Sequence, residues 1–72
     1  MVSATVKQWL TELAQGSISL MELNGMLMSH LIAYPEEEKA VLDVLEHDPD
    51  PDLHYLATML SRLLTEYQQK RQ

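Results

Sequence analysis

Residues 18–34, ISLMELNGMLMSHLIAY, constrain the fold most: the segment has the residue types and start signals of a helix, yet apolar side chains fall on nearly every side of it. The whole chain is 72 residues long. A domain of that size buries only about 60% of the surface its unfolded chain exposes, so little protein is left over to cover a helix that is apolar all round. The pattern therefore predicts either a deeply buried helix or one that meets a second molecule.

The flanking segments repeat the helical spacing. Val6, Trp9, Leu10 and Leu13 recur at steps of three and four, with Thr5 and Gln8 placed as a capping box and Gly16 as the stop. Ser19 and Glu22 form a second such box, followed by the stripe Leu20, Leu23, Leu27, Leu31 and Tyr34. Pro35 disfavours helical geometry at Tyr34 and suits the first position of a new helix, whose apolar stripe is Val41, Val44 and Leu45. In Asp48-Pro49-Asp50-Pro51-Asp52, Asp50 is the expected N-cap, Pro51 the first helical residue and Asp52 the partner of the helix dipole. Leu53, Leu56, Leu60, Leu63 and Tyr67 then continue at alternating steps of three and four, widened by Ala57, Met59 and Leu64.

Nothing alternates at period two. The expected fold is all-α, one domain over residues 1–72, with helices over 5–15, 19–34, 35–47 and 51–70. Short connections favour antiparallel neighbours and hence a small three- or four-helix bundle, self-associating through helix 2.

Composition narrows the function classes. The chain has no cysteine, so disulfide staples, thiolate metal sites and thiol nucleophiles are absent. It lacks a basic, apolar leader and an apolar run long enough to span a bilayer, which leads us to expect a cytoplasmic protein with no membrane partner. There is no Gly-rich phosphate loop or nucleophile elbow, and carboxylates at exposed helix starts lack the desolvation that tunes a general acid or base. We expect no enzyme activity and no cofactor.

His30, His47 and His54 show no metal-binding spacing, and His30 fits a hydrogen-bonded boundary or interface position. In Asp48–Asp52, a calcium loop counted from Asp48 would need glycine where Leu53 stands and glutamate where Met59 stands. No metal is expected. The net charge is −6, and residues 36–52 hold eight acids against Lys39 alone. Direct nucleic-acid binding is not expected, because phosphate neutralisation needs clustered Lys and Arg and the five here are scattered.

Two candidate partner-binding sets remain. The apolar one is Met21, Gly25, Met26, Met28 and Ile32: the leucine stripe already supplies a core face, thioether chains adapt to irregular surfaces, and glycine permits close helix approach. Core filling is the other use of such methionines. The acidic set is Glu36, Asp43, Glu46, Asp48, Asp50 and Asp52 with Tyr55, suited to a basic protein. Helix capping explains Glu36–Glu38 and Asp50–Asp52 equally well, whereas Asp43, Glu46 and Asp48 have no capping role at this level.

The segment Glu46-His47-Asp48-Pro49-Asp50-Pro51-Asp52-Leu53-His54-Tyr55 resembles the E-H-P…S-D-L-I-Y-Y recognition segment of the small acidic four-helix immunity proteins that inhibit bacterial DNase toxins. The likeness covers ten residues, and Leu56 stands in place of one of the paired tyrosines. It implies that Asp52 and Tyr55 contact a basic nuclease.

Together these features predict a non-enzymatic protein–protein interaction module: a small acidic adaptor, inhibitor or chaperone of bacterial or phage type, homodimeric, with a basic protein partner. The alternatives are a nucleic-acid-mimicking inhibitor of a DNA- or RNA-binding enzyme, including nuclease-immunity-like or phage counter-defence roles, and a structural subunit of a larger assembly.

Overall fold

The computed structural model describes residues 2–71, the side chain of Arg71 excepted. Among the described residues it is all-α: α1 spans Ala4–Ala14, α2 Leu20–Ala33, α3 Glu38–His47 and α4 Pro51–Arg71, with a 3-10 turn over Pro35–Glu37.

Local chemistry sets most of these boundaries. The expected Thr5 cap is corrected by two residues: Ser3 caps α1, its Oγ accepting from the Val6 N–H at 3.4 Å, and Thr5 lies inside the helix. Gln8 instead donates from Nε2 to Glu12 Oε2 one turn on, at 3.3 Å. At the far end Gly16 adopts φ +78°, and the N–H groups of Gly16 and Ser17 donate to the carbonyls of Leu13 and Glu12. That double closure is a Schellman motif, which requires the left-handed geometry that glycine takes without a Cβ clash.

The Ser19–Glu22 box forms in both directions: the Glu22 N–H donates to Ser19 Oγ at 3.0 Å and the Ser19 N–H to Glu22 Oε1 at 2.9 Å. Pro35 separates α2 from α3, but α3 does not start at once. Tyr34, pushed out of helical space by the proline ring, sits at φ −128°, ψ 69°. The Glu37 N–H then donates to the Tyr34 carbonyl at 3.0 Å, a three-residue spacing that makes the first turn 3-10.

The core gathers Val6 from α1, Leu23, Leu27 and Leu31 from α2, Val41 and Leu45 from α3, and Leu53, Leu56, Ala57, Leu60 and Leu64 from α4. α4 packs against both α2 and α3, while α1 packs on α2. Val44 was expected in the buried stripe of α3 but is 41% exposed. It lies about 100° around the helix from Leu45, and the half-buried Leu42 flanks the stripe on the other side. Tyr34, expected at the end of the α2 stripe, is likewise exposed, because the chain has left the helix there.

Candidate functional site

Three leucines bury one side of α2, and the turn-by-turn rotation of the helix then fixes what faces outward. Glu22, Gly25 and Ser29 are exposed and Met26 half-buried. With Met21 and His30 of α2 and Trp9 of α1, they line an open groove of about 710 Å³. Met21 is 66% exposed. Nothing lies within 4 Å of the position a Cβ would take on Gly25, so no neighbour inside the chain requires glycine there.

The five apolar candidates therefore divide. Met21, Gly25 and Met26 line the groove, Ile32 is exposed farther along α2, and Met28 packs partly into the core. Met59, on α4, also packs against the core and stands apart from the groove.

One residue of the groove wall, His30, belongs to a polar pair that is not apparent from sequence. His30 Nε2 donates to Glu37 Oε1 at 3.0 Å, with both side chains largely shielded. A carboxylate offers no proton, so Nε2 carries it in this contact. The Trp9 ring meets His30 edge-on at 5.5 Å between centroids, and Tyr34 lies at 4.9 Å with its plane tilted by 39°. The His30 hydrogen bond, followed by its charge, holds the Glu37 carboxyl below its ordinary value against the opposing effect of burial, with the Ser3 hydroxyl adding to the lowering. Glu37 is thus a partner of His30 as well as a helix-start acid.

The acidic set is also divided. Asp43 accepts from His47 Nδ1, through its backbone carbonyl at 2.8 Å and with its carboxylate at 3.3 Å. Those contacts raise the His47 pKa, the backbone carbonyl contributing most and the Asp43 charge next. Asp48 Oδ1 accepts the Asp50 N–H and Asp50 Oδ1 the Asp52 N–H, each at 2.9 Å. The second bond is the expected cap of α4; the first supplies a turn role for Asp48 that sequence alone left open. His54 donates from Nε2 to the Asp48 carbonyl, tying α4 back over the same loop.

Glu36, Glu46 and Asp52 are exposed, and Tyr55 is 62% exposed. Leu56, the residue in place of the second tyrosine of the immunity-protein segment, is fully buried. Among the described residues, no group of three or more His, Asp or Glu is placed to hold a metal ion, and no helix is long and apolar enough to cross a membrane.

Comparison with protein-family models, curated proteins and solved structures found no match to this chain. The likeness to immunity proteins stays confined to residues 46–55.

Glu22, Ser29, His30 and Trp9 were missed as parts of the groove. Glu22 and Ser29 flank Gly25 at helical spacing and were within reach of a helical projection, whereas the place of Trp9 depends on how α1 docks.

Proposed function

We propose that the chain is a non-enzymatic protein–protein interaction module of the small adaptor, inhibitor or chaperone kind, a cytoplasmic helical bundle that self-associates through α2 and offers its acidic side to a basic protein. The observation that carries the proposal is the outward face of α2, where an exposed Met21 and a bare Gly25 share one groove with Met26 and Trp9. A helical glycine costs about 1 kcal/mol relative to alanine, a loss that close packing of another surface would offset. Burial there supplies affinity, and carboxylates such as Glu36, Glu46 and Asp52 steer the encounter with a cationic partner.

Mimicry of nucleic acid is the less favoured reading. It calls for carboxylates along one continuous face, but Lys39 lies one turn before Asp43 on the exposed side of α3, and Asp48 and Asp50 use their carboxylates on backbone N–H groups.

Size-exclusion chromatography with light scattering tests self-association: a dimer is expected, and a strict monomer at tens of micromolar refutes it. For the acidic side, the expected result is a purified basic protein from the native host that binds the chain with an affinity falling as salt rises. Binding indifferent to salt would refute electrostatic steering.

A further inference from the structure

Asn24 is the only asparagine in the chain, and a glycine follows it. We infer that Asn24-Gly25 is a covalent modification site that α2 keeps closed: when the helix opens, Asn24 deamidates through a cyclic imide, and the product no longer fits the place the asparagine held. The reaction needs only water as co-reactant. The Gly25 backbone nitrogen attacks Cγ of Asn24, the new C–N bond closes a five-membered ring, and the amide nitrogen leaves as ammonia, taking the proton released by the attacking nitrogen. Water then opens the ring at one carbonyl or the other, giving aspartate or isoaspartate. Glycine on the attacking side has no Cβ to obstruct closure and leaves the backbone free to reach the ring geometry.

The folded helix blocks this chemistry at each step. Asn24 and Gly25 are interior residues of Leu20–Ala33, so the Gly25 N–H points at the carbonyl four residues back instead of being free to attack. Ring closure brings Cβ of Asn24 and the Gly25 nitrogen nearly into eclipse about the Cα–C bond, and a helical ψ of about −42° holds them well apart. The Asn24 side chain is also 9% exposed, which keeps hydrolytic water from its amide.

The same two residues weaken α2 where it guards them. Oδ1 of Asn24 is buried without a hydrogen-bond partner, and no neighbour packs within 4 Å of a Cβ position on Gly25, so neither the desolvated amide nor the helical glycine is compensated locally. Return is obstructed once the reaction has run. An aspartate brings a carboxylate into a site where even the amide oxygen lacks a donor, between the fully buried Leu23 and Leu27 in sequence. Isoaspartate adds a methylene to the backbone and breaks the helical hydrogen-bond ladder. Loss of α2, and of the groove it lines, is then one-way, and the frequency of α2 opening sets the working lifetime of the chain.

The test incubates the full chain at mildly alkaline pH with and without guanidinium chloride. Ammonia release gives the rate, and peptide mapping by mass spectrometry separates asparagine, aspartate and isoaspartate at position 24. Deamidation should be at least roughly a hundredfold slower in the folded chain than in the denatured one, and should climb with denaturant in step with unfolding. Gly25→Ala should slow the reaction in denaturant, where the helix plays no part. Modified chains returned to native buffer should melt below the unmodified chain, as should Asn24→Asp.

Equal rates with and without denaturant would overturn the protection by α2. Aspartate without isoaspartate would mean direct hydrolysis and overturn the cyclic route, and so would a denatured-state rate unchanged in Gly25→Ala. Modified chains that regain the original Tm would overturn the one-way consequence. The rate measurement stands even where Asn24→Asp fails to fold, because it is made on the unaltered sequence.

Discussion

His30 Nε2 stands 3.0 Å from Glu37 Oε1, joining two residues seven apart across the Pro35 break. Helix α2 ends at Ala33, so this bond spans the point where the chain leaves it, with Trp9 and Tyr34 against the imidazole. The same imidazole forms part of the α2 groove.

Glu37 titrates below its ordinary value of 4.5 in the folded chain, with the His30 hydrogen bond as the largest cause. Its contribution to stability is therefore fully present above pH 4.5 and is lost as pH falls through the lowered folded value. Glu37→Gln should reduce the Tm near neutrality, and the gap to the unaltered chain should close in acid. Thermal melts across that range check it; a gap that persists at low pH would show that Glu37 acts by shape alone.

The His47 pKa is raised, first by the Asp43 carbonyl and then by the Asp43 carboxylate, so the sign reverses. Its charge-linked contribution is complete below the ordinary value of 6.5 and disappears as pH rises through the raised folded value. His47→Gln should cost more stability in mild acid than in mild alkali. Both partners are largely exposed, so the effect is small and should shrink further with added salt. Equal losses on the two sides of neutrality would refute the linkage.

Asn24 is 9% exposed on α2, and its Oδ1 is buried with no hydrogen-bond partner. An unpaired buried carbonyl costs about 1–3 kcal/mol, and leucine keeps the branching at Cγ without the polar group. Asn24→Leu should raise the unfolding free energy by about 1 kcal/mol in urea titration with an unchanged m-value. A loss of stability would mean that the amide is satisfied in solution or that the larger methyl groups overpack the site; Asn24→Ala, which adds no volume, separates the two.

The two glycines should respond with opposite signs. Gly16 has φ +78°, and Gly16→Ala should cost about 1–2 kcal/mol by forcing a Cβ into left-handed geometry. Gly25 is helical with open space around it, and Gly25→Ala should stabilise the monomer by about 0.5–1 kcal/mol. Denaturation at high dilution measures both without interference from association.

Local chemistry, readable from neighbouring residues alone, sets the helix ends. Ser19 with Glu22, Gly16, Pro35 and the Asp50-Pro51-Asp52 start act within four residues of themselves, so capping bonds and dihedral preferences set the helix ends wherever the helices go. Leucines at helical spacing on α2 and α4 likewise marked most of the core, because a helix must turn such a stripe inward. Even the Ser3 cap was within local reach, two residues before the expected one.

Which apolar residues are left over from the core depends instead on how the helices dock. Met26 and Met28 look alike in sequence, yet the docking of α2 turns one into the groove and packs the other partly against the core. Gly25 proved bare, Asn24 buried, and His30 bound to Glu37 beside Trp9, since each outcome depends on where α1, α4 and the 3-10 turn meet α2. Residue spacing fixes directions around one helix axis. Which of those directions a neighbour covers depends on contacts between segments far apart in the chain, and no local pattern encodes them.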